Sequence, residues 1–144
     1  MPRITIDVPP TLAFSTELQV YVGHINEAGH VDNAQLLTLV SEARQRFFQS
    51  LGYTQTDVEG VGIVIADAAI QYLSEAVHGE TLVIAMGAHE FNKYGCDLVY
   101  RIRDKASGRD VARGKTGIVF FDYARRKIAP LPQAFHDKAA ATAG

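Results

Sequence analysis

The sequence predicts an α+β domain in which one long helix packs against a curved antiparallel sheet of about five strands. Three observations lead to this fold class. One segment has helical hydrophobic periodicity, the segments around it are rich in β-branched residues, and short turn-forming sequences join most of them. A single amphipathic helix in such a chain can bury its apolar stripe only against the sheet.

The helix is predicted over residues 32–51. Its apolar residues recur at helical spacing, namely Leu36, Leu37, Val40, Ala43, Phe47 and Leu51. Asp32 is a residue type that caps helices, and Gln35 follows three positions later, which is the spacing of a capping box. Gly52 is a suitable residue to end the helix.

The strands are predicted at residues 16–22 before the helix and at residues 61–73, 79–91, 96–104 and 111–123 after it. The sequences NKYG and KASGRD separate the last three and are typical of tight turns. An open sheet of this size has exposed edges, which proteins often close by forming homo-oligomers. The small and polar residues 134–144 predict a frayed tail.

Composition favours a single soluble domain over residues 1–144. The chain is 47% hydrophobic and 21% charged, which is ordinary for a globular protein. Its net charge of -2 argues against a nucleic-acid partner, and no apolar run is long enough to span a membrane. A lone cysteine, Cys96, excludes an internal disulfide and fits the reducing cytoplasm.

The loop HINEAGHVDNAQ, residues 24–35, places many polar groups immediately before the helix. Such a loop is either capping chemistry or the rim of an active site. His30 can pack at the helix entry or act as a base there, and both readings stay open. The histidines show no zinc-binding spacing, so no metal is predicted.

Asp67 interrupts the apolar strand sequence VGIVIADAAI and shares a strand face with Ala69 and Gln71. A carboxylate in such surroundings costs free energy unless it is paired or functional. One reading pairs it with Arg44, which lies on the apolar stripe of the helix and needs a partner. The other makes Asp67 a carboxylate that activates water.

The chain resembles the hotdog-fold acyl-CoA thioesterases related to 4-hydroxybenzoyl-CoA thioesterase. The resemblance rests on five sequences that occur in order and with matching spacing: GHVDNAQLL, SEARQRFFQSLGY, IQYLSEAVHGETLVI, ARGKTGIVFFD and KIAPLP. It implies the hotdog fold and hydrolysis of an acyl-CoA or related acyl-carrier thioester. It also implies a homodimer or dimer of dimers with sites at the subunit interface. Coenzyme A is then part of the substrate, and no separate cofactor is expected.

The resemblance further implies where the substrate binds. The thioester carbonyl is expected at the N-terminus of the helix, against the backbone around Gly29, Val31, Asp32 and Asn33. A backbone N–H near Asn33, helped by the helix dipole, would polarise the carbonyl.

The catalytic residues are less directly implied, because many members of the family carry an aspartate three residues before the glycine. Asn26 stands at that position here, and an amide can neither accept a proton as a base nor attack a thioester. Asn26 and His30 are therefore predicted to orient the thioester and the water. Asp67 or an acid of the partner chain is predicted to supply the base.

The missing aspartate also motivates two alternatives to hydrolysis. One is a module that binds acyl thioesters without cleaving them. The other is a hotdog dehydratase or hydratase, in which a histidine and a carboxylate act on the acyl chain. The acyl group itself, and the choice between coenzyme A and a carrier protein, remain open.

Overall fold

The structure is a computed structural model of the chain and describes residues 2–142. Its elements follow in the order β1 (Phe14–Gln19), α1 (Asn33–Ser50), β2 (Gly62–Tyr72), β3 (Thr81–His89), β4 (Gly95–Asp104), β5 (Asp110–Asp122), β6 (Lys127–Ile128) and α2 (Gln133–Ala140). The predicted long helix and the five predicted strands are therefore present, with boundaries shifted by at most three residues.

The sheet is antiparallel and open, with the strand order β1-β3-β4-β5-β2 and the short β6 paired with the end of β5. The predicted α+β architecture is confirmed in this form. One connection differs from a simple run of hairpins, because β2 pairs with β5 and not with β3. Residues 73–80, here called the crossing segment, therefore pass from the β2 edge of the sheet to β3, which lies between β1 and β4.

Helix α1 packs mainly against β1 and β3. Its start is confirmed as predicted, because the Asp32 carboxylate accepts the backbone N–H of Ala34 at 3.0 Å. The reciprocal half of a capping box is not formed, since the backbone N–H of Asp32 donates to the carbonyl of His24 instead. The helix ends just before Gly52, whose φ of 87° suits a glycine.

The prediction that residues 134–144 form a frayed tail is wrong for residues 134–140, which belong to α2. Phe135 is fully buried and stacks on Phe48 of α1, with ring centroids 5.8 Å apart, and lies 5.0 Å from the ring of Phe120. This one aromatic anchor holds a segment that otherwise consists of small and polar residues. Residues 141 and 142 form a turn after α2, in which Thr142 N–H donates to the carbonyl of Ala139 at 2.9 Å, and residues 143 and 144 lie outside the described residues.

Different segments of the chain pack on the two faces of the sheet. The inner face packs on α1, as shown by the contact between Phe14 of β1 and Phe47 of the helix. The outer face is crossed by residues 2–13, whose Ile6 N–H donates to the side chain of Gln71 at 3.2 Å. Among the described residues, no helix is long and apolar enough to cross a membrane.

Strand β2 changes faces at a β-bulge. Ile65 pairs with Ile118 on the inner face, but the next paired residue is Asp67, opposite Gly117. Ala66 is the extra residue, so the alternation of inward and outward side chains shifts by one position there. As a result, Asp67 lies on the outer face, away from α1.

Candidate active site

A cavity of about 470 Å³ lies at the start of α1. The loop before the helix forms one wall, and the end of β2 with the crossing segment forms the other. Its lining residues are Asn26, His30, Val31, Asn33, Leu36, Tyr72, Leu73, Ser74, Glu75, Ala76 and Val111. The walls are mostly apolar, and a few polar groups converge in them, as is usual for small-molecule sites.

The loop that carries Asn26 and His30 is a tight hairpin. Asn26 N–H donates to the carbonyl of His30 at 3.0 Å, and Gly29 N–H donates to the carbonyl of Asn26 at 3.0 Å. Gly29 has a φ of 87°, a conformation that a residue with a side chain rarely adopts. Gly29, which was predicted to bind substrate, therefore shapes the turn, and its N–H is already used.

The backbone N–H groups at the helix entry are not equally available. Val31 N–H donates to the carbonyl of Ala76 at 2.8 Å, and Asp32 N–H donates to the carbonyl of His24 at 2.9 Å. Asn33 N–H has no acceptor among residues 2–142, and it stands at the first position of α1, where the helix dipole favours negative charge. Of the four predicted substrate-binding residues, only Asn33 keeps an uncommitted backbone donor in the cavity.

The side chain of Asn26 presents a donor to the cavity. Its Oδ1 accepts the backbone N–H of Ala28 at 3.0 Å. A backbone N–H can only donate, so the atom it meets must be the oxygen, which leaves the NH2 group for the cavity. Within the described chain this NH2 group has no hydrogen-bond partner.

The carboxylate of this cavity comes from Glu75. Its Oε1 lies 3.5 Å from Nε2 of His30, whose Nδ1 lies 3.2 Å from the carbonyl of Val31. Among the described residues that line the cavity, Glu75 is the one acid. Its side chain is 72% exposed. The predicted pair of Asn26 and His30 is thus brought together with an acid that sequence reasoning did not identify.

Tyr72 joins the two walls of the cavity. Its hydroxyl donates to the backbone carbonyl of Asn33 at 2.9 Å. Burial, together with the nearby Asp32 carboxylate, raises the pKa of Tyr72, so the phenol keeps its proton and remains a donor. The end of β2 is therefore tied to the first turn of α1.

Asp67 lies outside this cavity, because the bulge turns it to the outer face. Its Oδ1 accepts a hydrogen bond from Lys115 Nζ at 2.7 Å, and the same ammonium contacts Asp97 at 3.1 Å. Hydrogen bonding to Asp67 is the main cause that raises the pKa of Lys115. The predicted pairing of Asp67 with Arg44 is wrong, since Arg44 Nε donates to Gln55 at 2.9 Å.

Cys96 is 3% exposed and lies under the inner face of the sheet. Burial, with a smaller effect of Asp97, raises the pKa of its thiol to about 12, so the thiolate needed for nucleophilic attack does not form at neutral pH. Within residues 2–142, no group of three histidine, cysteine or acidic side chains has the arrangement of a metal site.

An antiparallel sheet of this strand order packed against one long helix is the hotdog fold. The chain belongs to the thioesterase-like superfamily, whose family model matches residues 20–139. Its activity is accordingly the hydrolysis of acyl-CoA thioesters.

Known proteins support this assignment. The chain is 30% identical over 128 residues to a 1,4-dihydroxy-2-naphthoyl-CoA hydrolase of Synechocystis, covering 83% of this chain and 89% of that protein. A crystal structure of a 1,4-dihydroxy-2-naphthoyl-CoA thioesterase from Synechocystis matches with a TM-score of 0.80 and 25% identity, covering 88% of this chain and 95% of that one. A Staphylococcus aureus protein solved in complex with CoA shares the fold at a TM-score of 0.81 and 16% identity, covering 96% of this chain and 87% of that one.

Proposed function

We propose that the cavity cleaves acyl-CoA thioesters by general-base catalysis, with Glu75 activating a water molecule. The thioester oxygen would bind between the backbone N–H of Asn33 and the side-chain NH2 of Asn26. The observation that carries this proposal is the convergence in one cavity of two uncommitted donors and one carboxylate. No other described acid lines the cavity, so Glu75 takes the role that an aspartate fills in many relatives.

The reaction follows from these positions. Glu75 takes a proton from water as the water oxygen attacks the carbonyl carbon, and the carbonyl oxygen becomes negatively charged. Asn33 N–H and Asn26 NH2 stabilise that oxyanion, and the dipole of α1 adds to their effect. The carbon–sulfur bond then breaks, and Glu75 returns its proton to the sulfur. The products are a carboxylic acid and free coenzyme A.

His30 would hold the Glu75 carboxylate in place. The imidazole lies between the Val31 carbonyl and Glu75, at 3.2 Å and 3.5 Å. From there it can fix the direction of the carboxylate toward the water. Under this proposal His30 is an orienting residue and Glu75 is the base.

The substrate class is suggested by the cavity and by one relative. The Synechocystis relative hydrolyses 1,4-dihydroxy-2-naphthoyl-CoA. The cavity of about 470 Å³ has an aromatic and aliphatic wall formed by Leu36, Tyr72 and Val111. These features favour an aromatic or short acyl group carried on coenzyme A, with no further cofactor.

We also infer a homodimer, or a dimer of dimers, built through β2. Strand β2 is an edge of the sheet, and its residues 65–68 are exposed although three of the four are apolar. An apolar edge strand of this length invites pairing with a second copy. The cytoplasmic location stays a prediction from the cysteine content.

The direct test is release of free thiol from a panel of aromatic and aliphatic acyl-CoA substrates by the purified protein. Glu75→Gln should lower kcat by about 10²- to 10⁴-fold, the usual contribution of a general base. Glu27→Gln serves as a matched control, because Glu27 is an exposed acid of the loop before α1 and does not line the cavity. Its kcat should stay at the wild-type value.

Four outcomes would contradict the proposal. Wild-type activity in Glu75→Gln would show that Glu75 is not the base. A large loss of activity in Asp67→Asn would assign that role to an Asp67 supplied by a second subunit. Thermal stabilisation by acyl-CoA without thiol release would identify a binding module. Conversion of enoyl-CoA or hydroxyacyl-CoA without thiol release would identify a hydratase or dehydratase.

A further inference from the structure

We propose that Arg109 is a positioning residue that fixes the backbone under Glu75 and so directs the Glu75 carboxylate into the cavity. Arg109 lies just before β5, on the turn that follows β4, and does not line the cavity. This inference rests on the proposed role of Glu75 as the base. It identifies Arg109 as the residue that holds the exposed crossing segment in place, so that Glu75 can act as the base.

The guanidinium of Arg109 bonds to the crossing segment at three residues. Nη2 donates to the backbone carbonyl of Glu75 at 2.9 Å, and Nε donates to Ser74 Oγ at 3.1 Å. Nη2 also contacts both carboxylate oxygens of Glu80, at 3.0 and 3.1 Å. Glu80 in turn accepts the backbone N–H of Val77 at 2.7 Å. One side chain thus links the two ends of the crossing segment.

The Glu75 side chain needs this support because little else holds it. It is 72% exposed, and its one charged contact is His30 at 3.5 Å, which is too long for a strong hydrogen bond. The contact with His30 therefore needs a fixed backbone under Glu75 to direct the carboxylate. A displacement of about 1 Å at a reacting group can cost about 10²-fold in rate, so a fixed backbone has a kinetic consequence.

Arg109 is itself held by the turn that carries it. The backbone N–H of Arg109 donates to Ser107 Oγ at 3.1 Å, and Ser107 donates to the buried Asp104 through its hydroxyl at 2.6 Å and its N–H at 3.0 Å. A continuous set of hydrogen bonds therefore runs from Asp104 to the backbone of Glu75. The planar, five-donor guanidinium suits this place, because the single nitrogen of a lysine could not stand in for both Nε and Nη2.

The test is a double-mutant cycle on kcat with Arg109→Ala and Glu75→Gln. Arg109→Ala should lower kcat about tenfold or more while KM stays within about threefold, because substrate-binding groups are untouched. In the double variant, Arg109→Ala should cause no further loss beyond that of Glu75→Gln, since Arg109 acts only through Glu75. Added guanidinium ion should restore part of the kcat of Arg109→Ala.

The matched control is Arg103→Ala. Arg103 also lies near the β4–β5 turn and forms an ion pair with Asp110 at 2.9 Å, but it makes no hydrogen bond to the crossing segment. Its kcat should equal that of the wild type. A general structural role would raise KM and would lower kcat and melting temperature together in the Arg109 variant, and that pattern would overturn the proposal.

A spectroscopic readout keeps the proposal testable if Arg109→Ala folds poorly. Arg109→Lys keeps the charge but cannot span the three acceptors, and it should shift the His30 ring signals in NMR in the same direction as Glu75→Gln does. His30→Gln assigns those signals among the five histidines. Unchanged His30 signals and full kcat in Arg109→Lys would overturn the positioning role. Full activity in Glu75→Gln would instead defeat the proposed base, so the two failures are distinguishable.

Discussion

At the scale of single residues, Asn26 shows how one atom can reverse the chemistry of a position. The oxygen of its side chain accepts the Ala28 N–H, which an aspartate could do equally well. The second atom differs, because asparagine offers a donor where aspartate would offer an acceptor. The turn can therefore form with either residue. Asparagine, however, presents a hydrogen-bond donor to the cavity where aspartate would present an acceptor.

We expect Asn26→Asp and Asn26→Ala each to lower kcat by about 10²-fold, because both remove one donor to the oxyanion. The two variants should differ in stability. Asn26→Asp keeps the bond to Ala28 and should melt close to the wild type, whereas Asn26→Ala should melt lower. Steady-state kinetics and thermal unfolding measure both effects, and an Asn26→Asp enzyme as fast as the wild type would contradict the donor role.

Asp104 carries a pH-dependent contribution to stability that the geometry identifies. Hydrogen bonds from Ser107 hold its pKa below the ordinary value of 3.8. The folded state therefore binds this proton less readily than the unfolded state does, so the contribution is present above pH 3.8 and is lost as the pH falls through the folded pKa. The hydrogen bonds that support Arg109 weaken over the same range.

We therefore expect Asp104→Asn to be less stable than the wild type between pH 5 and 7, with the difference shrinking below pH 3.8. Melting temperatures measured from pH 7 to pH 2.5 test this. Asp137→Asn is the control, since Asp137 is an exposed acid of α2 with no bond to a backbone N–H. A difference between wild type and Asp104→Asn that persists unchanged at pH 2.5 would contradict the assignment.

At the scale of elements, α2 depends on one aromatic side chain. Phe135 is fully buried among Phe48, Phe120 and Tyr53. Phe135→Ala should lower the free energy of unfolding by about 3–5 kcal/mol, the usual cost of removing a buried phenylalanine. Gln133→Ala, at the exposed start of α2, should change it by less than about 0.5 kcal/mol. Denaturant unfolding measures both, and equal small effects would show that α2 is not docked.

Some features at the scale of elements could be predicted from the sequence, and others could not. The helix and strands were predictable, because periodicity and turn residues are local signals that packing reinforced. The crossing segment was not, since nothing local in LSEAVHGE says that β2 pairs with β5. Glu75 was therefore overlooked: an acid in a polar connection resembles solvated charge until the topology brings it to the helix start.

The candidate site also has features that the sequence could predict and features that it could not. The polar loop and the unsatisfied N–H groups at a helix N-terminus could be inferred, and His30 and Asn33 do line one cavity. Which N–H groups are already used depended on contacts between distant segments, such as Val31 with Ala76. The place of Asp67 on the outer face could not be predicted, because simple alternation along β2 does not reveal a bulge.

At the scale of the whole molecule, the open β2 edge predicts self-association. Light scattering should give a mass of at least twice 15.7 kDa for the wild type. Replacing Ile65 and Ala68 together by lysine should give the monomer mass, because charges on an edge strand oppose pairing. Val22→Lys, at a 77% exposed position outside the sheet, should leave the mass unchanged. A wild-type protein that stays monomeric at high concentration would contradict the proposed dimer.

The bulge at Ala66 makes the length of β2 as important as its composition. If Ala66 took a regular place in the alternation instead of bulging, the faces of all the following residues of the strand would be exchanged. Tyr72 would turn away from Asn33, and Asp67 would point toward α1. An in-frame loss of the Ala66 codon would have no such effect, because it would remove the bulge and leave every following residue on its present face.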